Sequence, residues 1–213
     1  MNRRLHKIQD TLIKRYDRLT GDDGQIKRLH QLDLCQLDGK PSTIKYEADG
    51  GPTLARCREL LGQNGVVAAD TKRFLQWLFF NLYVGNHDSH AKNLSIYFLP
   101  QYGVRLTPFY DLLSTSIYAG LSRRFAFSIG GESTPSNIQK EHIVTMASQL
   151  GFKAQYVLKI AEEMASALGD KLNETTHAVN AMAAAGTEKT MVERLNHHIA
   201  RTTKSLQNRL FTR

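Results

Sequence analysis

The stretch Thr71 to Val84 constrains this chain more than any other. Phe74, Leu75, Leu78, Phe79 and Leu82 fall at i, i+1, i+4, i+5 and i+8, one broad apolar helical face. Trp77, Phe80 and Tyr83 carry that face round much of the cylinder. A helix apolar on nearly every side belongs at the centre of a globule. Asp70 reads as its N-cap and Gly85 as the left-handed residue that ends it. The chain therefore leaves the core at a defined point, just after Gly85.

The segment beyond Gly85 is polar and dense in chemistry: Asn86-His87-Asp88-Ser89-His90-Ala91-Lys92-Asn93. Asp88 and Asn93 stand five apart, the Asp-x-x-x-x-Asn spacing of a kinase catalytic loop. In phosphoryl transfer one aspartate orients the attacking hydroxyl, while an asparagine and a second aspartate hold Mg²⁺ on the nucleotide phosphates. Two strands, Leu94 to Phe98 and Val104 to Thr107, are expected next, joined by Leu99-Pro100-Gln101-Tyr102-Gly103. They deliver a second acidic loop, Pro108-Phe109-Tyr110-Asp111. Asp111 is then a candidate metal ligand, although a Tyr-Asp pair before a helix also serves as an N-cap.

The neighbours of these residues have two readings each. Lys92 can neutralise charge on a transferring phosphate or be a solvated loop lysine. His90 can contact phosphate or be a hydrogen-bonded structural histidine. His87 beside Asp88 also matches the tandem His-Asp of metal-dependent phosphohydrolases, which need further histidines on helices. Asp17 can bond a ribose hydroxyl or simply sit in a turn.

Before the central helix, Thr11 to Tyr16 reads as a strand, with Ile26 to Leu29 as its hairpin partner across Gly21-Asp22-Asp23-Gly24. Leu32 to Leu37 and Thr53 to Leu61 read as helices. After Asp111 the pattern turns helical. Thr134-Pro135 is expected to open a helix to about Leu150, closed by Gly151. Ala154 to Leu168 is a second helix closed by Gly169. A third starts at Asp170 and runs towards Ala185, and Glu188 to Leu210 is the last.

At 213 residues the chain is long enough for one core, and 41% hydrophobic content is ordinary for a globule. No apolar run approaches the roughly 18 residues of a membrane span, so no membrane partner is expected. Met1-Asn2-Arg3-Arg4-Leu5-His6-Lys7 lacks the apolar core of a secretory signal. Cys35 and Cys57 could pair, but their surroundings suggest neither a disulfide scaffold nor a zinc site. A reducing, cytoplasmic setting fits. The formal charge of +8 favours acidic partners. The last helix carries a candidate basic face of Arg194, His197, His198, Arg201, Lys204, Arg209 and Arg213.

At these residues the chain resembles the HipA family, serine/threonine kinase toxins of bacterial toxin–antitoxin modules. The resemblance runs from Ile13-Lys14-Arg15-Tyr16-Asp17-Arg18 to the helical C-terminus. It is carried by Gln31-Leu32-Asp33-Leu34-Cys35-Gln36, by Lys45-Tyr46-Glu47-Ala48-Asp49-Gly50-Gly51-Pro52 and by the Asp88 to Asn93 loop. Leu106-Thr107-Pro108-Phe109-Tyr110-Asp111 and Arg124-Phe125-Ala126-Phe127-Ser128-Ile129-Gly130-Gly131 complete it.

The resemblance implies an α+β, mainly α fold: a kinase-like C-lobe, a helical bundle with a small β-hairpin at the active-site loop. One domain, 1–213, is expected, with a hinge strand and hairpin over 1–30, the catalytic-loop region over 31–132 and a helical subdomain over 133–213. Asp88 would be the catalytic base, and Asn93 and Asp111 would ligate Mg²⁺. Tyr16 would offer its backbone to the adenine of ATP. Asp17 and Gln31 would line the nucleotide pocket, with His90 and Tyr110 close to the phosphates and nucleotide. The implied substrate is a serine or threonine on a protein such as an aminoacyl-tRNA synthetase, and the outcome is growth arrest and persistence. The implied partners are a HipB-like antitoxin and, through it, operator DNA.

Family members carry an N-terminal lobe with the phosphate-covering loop and a strand lysine. Here about a dozen residues precede Tyr16, none of them glycine. The resemblance thus implies a C-terminal lobe, weak in phosphate transfer by itself, that works with an N-lobe in cis or as a separate subunit. Two other functions stay open at this point. One is a non-catalytic module docking antitoxin or DNA; the other is a phosphohydrolase built on His87-Asp88.

Overall fold

The computed structural model describes residues 15–183 and 186–212. Six α-helices and five short strands follow one another among these residues. The axis is helix α3, after α1 (Leu34–Leu37) and α2 (Leu54–Gln63). It spans Ala68–Val84, and Phe74, Leu75, Trp77, Leu78, Phe79, Leu82 and Tyr83 are all buried on it. The centrality expected from its apolar circumference is therefore observed. Gly85 ends it at φ 73°, and its N–H donates to the Asn81 carbonyl. No other residue fits there: a Cβ on Gly85 would stand 2.0 Å from Ser116 Oγ.

The start of α3 differs from expectation. The helix begins at Ala68 with Val67 at the N-cap, so Asp70 lies inside the first turn. Its fully buried carboxylate accepts from Arg105 Nε at 2.6 Å, Arg73 Nη1 at 2.9 Å and the Leu106 amide at 3.0 Å. Asp70 is thus a clamp between α3 and a strand rather than a cap. Burial raises its pKa, but the hydrogen bonds from Arg105, Arg73 and Leu106 outweigh it and hold the carboxyl below its ordinary value.

Strands β1 (Arg18–Thr20) and β2 (Ile26–Arg28) pair antiparallel, Leu19 opposite Lys27. The expected strand at Thr11 to Tyr16 falls partly on 11–14, outside the described residues; Tyr16 itself is in a turn. A second, three-stranded sheet has the order β3 (Gln31–Asp33), β4 (Ser95–Leu99), β5 (Gly103–Leu106). Its register sets Leu32 opposite Ile96 and Ile96 opposite Leu106, and Ile96 and Leu106 are buried. Gln31 to Asp33 are therefore extended, and only Leu34 to Leu37 of the expected helix is helical. Asp33 and Gln36 form a capping box there.

The helical half also departs in two places. Thr134-Pro135 opens only a 3-10 turn, Pro135–Asn137, and α4 spans Lys140–Gln149. Gly169 does not stop the next helix: α5 runs unbroken over Ala154–Met182, joining the two helices expected there. A helix-interior glycine costs about 1 kcal/mol. Burial of Val157, Ile160, Ala161 and Ala165, with the bond from Tyr83 Oη to the Ala161 carbonyl, anchors α5 on the core. Helix α6 (Gly186–Phe211) packs on α5 and buries Ile199, Thr203, Leu206 and Leu210. The result is the expected mainly α architecture with small sheets. Among the described residues no helix is long and apolar enough to cross a membrane.

Candidate active site

The left-handed turn at Gly85 throws the chain out of the core, and buried amides fix the loop beyond it. Asn86 is 1% exposed, and its Nδ2 donates to Asn81 Oδ1 at 2.8 Å and to the Asp111 carbonyl at 3.0 Å. Ser89 Oγ donates to the Asn86 carbonyl, and the His90 amide to the Asp88 carbonyl. A 3-10 turn over Ala91–Asn93 closes the loop onto β4.

Asn93 joins the two acidic segments. Its Nδ2 donates to the Asp88 carbonyl at 3.2 Å and to Asp111 Oδ2 at 3.1 Å. Asp111 itself takes φ 56°, a left-handed conformation uncommon outside glycine. Such local strain collects at functional sites because the surroundings hold it in place. Tyr110 provides that hold: its hydroxyl donates to the Lys92 carbonyl at 2.6 Å and sits 2.7 Å from Ser95 Oγ. Burial raises the Tyr110 phenol pKa, so it remains a neutral donor.

Asp88 is partly exposed, with 44% of its side chain accessible, and Asp111 is exposed, whereas Asn93 is buried. Three groups meet its Oδ1: the Tyr46 hydroxyl in a short hydrogen bond, Lys45 Nζ at 4.0 Å and His90 Nε2 at 3.9 Å. Burial raises the Tyr46 phenol, and the bond to Asp88 raises it further. Burial lowers the His90 pKa and Lys45 lowers it more, leaving a neutral imidazole at pH 7. His90 Nδ1 is buried without a partner among the described residues.

Tyr16, Gln31 and Tyr110 form an aromatic and polar wall beside this loop. Tyr16 stacks on Tyr110 at 6.4 Å and meets the edge of Tyr97 at 6.2 Å. Thr107 and Gln31 face its hydroxyl and favour its ionised form, but burial outweighs them and raises the phenol pKa. Gln31 Oε1 is a buried acceptor with no partner among the described residues, which suits an amino or N–H group of a nucleotide base. Asp17 is buried, but Arg15 and Arg18 already engage its carboxylate and hold its pKa at about 2. That use matches its reading as a turn residue.

Lys92 lies on the 3-10 turn that closes the loop. Its Nζ reaches the Ser42 carbonyl at 3.4 Å, and the cation beside Asp88 is Lys45. In the sequence Lys45 and Tyr46 stand only within a segment of family likeness; no local spacing ties them to Asp88. Sequence reasoning misses Asn81 and Asn86 as well. Two asparagines at the buried end of an apolar helix are the available signal, because a buried amide needs partners. His87 Nδ1 lies 3.3 Å from the Ser122 carbonyl.

Among the described residues no cluster of three His, Cys, Asp or Glu side chains is positioned to hold a metal. One carboxylate and one amide that could hold a metal, Asp111 and Asn93, are in contact. That suits Mg²⁺, which takes one or two protein oxygens and completes its shell with phosphates and water.

Residues 1–172 match the family model described as HipA-like C-terminal domain. The chain is 37% identical over 170 residues to a Sinorhizobium fredii protein named "Putative kinase Y4mE", covering 78% of this chain and 40% of that protein. It is 29% identical over 175 residues to the serine/threonine-protein kinase toxin HipA of Shewanella oneidensis, covering 74% of this chain and 40% of that one. The chain thus spans about two fifths of these relatives. Its fold is shared with a chain in the solved complex of Shewanella oneidensis HipA, HipB and operator DNA. The TM-score is 0.81 at 24% identity, over 92% of this chain and 48% of that one. The family match, covering most of the sequence and all of the Asp88–Asn93–Asp111 region, establishes that the chain belongs to the HipA-like C-terminal domain family.

Proposed function

We propose that these 213 residues are the C-terminal catalytic lobe of a HipA-like serine/threonine protein kinase, the toxin of a bacterial toxin–antitoxin system. One observation carries the reading: Asn93 bonds at once to the Asp88 backbone and the Asp111 carboxylate. In this reading the base and the metal ligands form one unit. Bound Mg²⁺ and ATP supply charge neutralisation and the phosphoryl group. Asp88 accepts the proton of the serine or threonine hydroxyl, and Asn93 and Asp111 hold the metal. Gln31, Tyr16 and Tyr110 form the nucleotide wall, with His90 near the phosphates.

The protein substrate in this reading is of the aminoacyl-tRNA synthetase kind, and phosphorylation arrests growth. A HipB-like antitoxin is the partner, linking the lobe to operator DNA. Support comes from the names of two relatives, one a toxin kinase and one a HipA–HipB–DNA assembly.

A thermal-shift titration with ATP and Mg²⁺ tests the reading. The expected result is a rise in melting temperature that needs both components and is lost in Asp111→Ala. No shift in the parent chain, or an equal shift in Asp111→Ala, contradicts it.

A further inference from the structure

A cavity of about 600 Å³ opens beside Asp88, on the side occupied by Tyr46 and His87. Neither Asn93 nor Asp111 lines it. Its floor is Phe125 and Phe127, 4% and 1% exposed, with Phe127 edge-on to Trp77 of α3 at 6.2 Å. Leu121, half exposed, and Ala48 extend the apolar lining.

Two segments make the walls, and polar bonds tie them together. The Glu47 amide donates to the Ala126 carbonyl at 3.3 Å, and the Ser128 amide donates to Glu47 Oε2 at 3.0 Å. A floor anchored on the central helix and walls bonded to each other make a pre-formed pocket, within the size range of ligand sites.

The charge of the lining is acidic. Glu47, Asp49 and Asp88 line the cavity with one cation, Arg124, and Lys45 stands 4.0 Å from Asp88, which leaves Glu47 and Asp49 as the acidic pair. Arg124 is exposed, and its Nε already donates to Ser133 Oγ at 3.0 Å. Burial raises the Glu47 pKa despite the Ser128 bond, so a cation arriving beside it would lower the cost of its charge.

We infer that this cavity is the acceptor subsite, taking a protein segment that presents a serine or threonine to Asp88, an apolar side chain to Phe125 and Phe127, and a lysine or arginine to Glu47 and Asp49. The inference rests on the kinase reading of Asp88. It separates two duties on the two sides of one loop. Asn93 and Asp111 face the nucleotide, while the Tyr46 side receives the protein. The Tyr46 hydroxyl, bonded to Asp88 Oδ1 from within the cavity, stands where an acceptor hydroxyl would arrive. The incoming hydroxyl displaces it or uses the other carboxylate oxygen.

The test is fluorescence anisotropy with fluorescein-labelled peptides and the 213-residue chain. One peptide carries serine flanked by leucine and arginine. A second has the leucine replaced by aspartate, and a third has the arginine replaced by glutamate. The first is expected to bind at least tenfold more tightly than the other two. Asp49→Lys and Leu121→Asp are exposed positions that leave the core intact. Asp49→Lys should erase or reverse the arginine preference, and Leu121→Asp should erase the leucine preference.

Equal binding of all three peptides overturns the inference, and so does selectivity that survives both substitutions. The ATP/Mg²⁺ thermal shift is read on the same samples. A retained nucleotide shift with no peptide selectivity defeats the subsite alone. Peptide selectivity without a nucleotide shift defeats the kinase reading on which it rests.

Discussion

The Tyr46 hydroxyl donates to the carboxylate of Asp88 across a separation of 42 residues. This bond links the segment before α2 to the loop after α3 and fixes where the candidate base points. Tyr46→Phe removes the donor and keeps the ring and its edge contact with His90. The expected loss of stability is about 1 kcal/mol, a charge-assisted bond discounted for the partial exposure of Asp88. Lys45→Ala should cost less than about 0.5 kcal/mol, since its ion pair is long and partly solvated. Urea unfolding of the three proteins checks the order, and the nucleotide shift should survive in both variants.

Asp70 gives the largest expected stability effect. Its fully buried carboxylate holds Arg73, Arg105 and the Leu106 amide together. Asp70→Ala leaves those donors without their acceptor and is expected to cost about 3 kcal/mol. Asp70→Asn retains some of the hydrogen bonding and should fall between that and the parent. A cap role alone would cost about 1 kcal/mol, so denaturant unfolding separates the two roles.

Stability should fall on the acid side. Burial lowers the pKa of His87, His90 and His198 from the ordinary 6.5. A depressed histidine binds its proton more weakly folded than unfolded, so its stabilising contribution is complete above about pH 6.5. It is lost as pH falls from there through the folded value. Asp17 adds a second, lower window, from the unfolded aspartate range near 4 down to its folded pKa of about 2. Unfolding free energy measured from about pH 8 to 5 should decline below about 6.5. His90→Gln should shallow that decline, and an unchanged slope would remove His90 from the explanation.

The parts legible in the sequence are those written in continuous local pattern. The central helix announces itself because one element carries most of its large apolar residues, and Gly85 marks its end. The Asp88 to Asn93 spacing is local too, and so is the pair of strands after it. The failures are tertiary. Asp70 has the composition of a cap, and only Arg105, brought in by a strand, shows that it is a clamp. Gly169 looks like a terminator, yet α5 continues through it because packing on the core and on α6 outweighs one glycine. Lys92 stands beside Asn93 in the sequence, whereas no local spacing links Lys45 to Asp88. The fold brings Lys45 to Asp88, and Lys92 reaches the Ser42 carbonyl.

The central claim is that Asp88, Asn93 and Asp111 serve one magnesium–nucleotide centre. A crystal structure of the chain grown with Mg²⁺ and a non-hydrolysable ATP analogue tests it most directly. The account predicts a metal about 2.1 Å from oxygens of Asn93 and Asp111. It also predicts the base of the nucleotide against Tyr16 and Gln31, and Asp88 open towards the terminal phosphate. A nucleotide bound at another surface, or a metal held without Asn93 and Asp111, would contradict it.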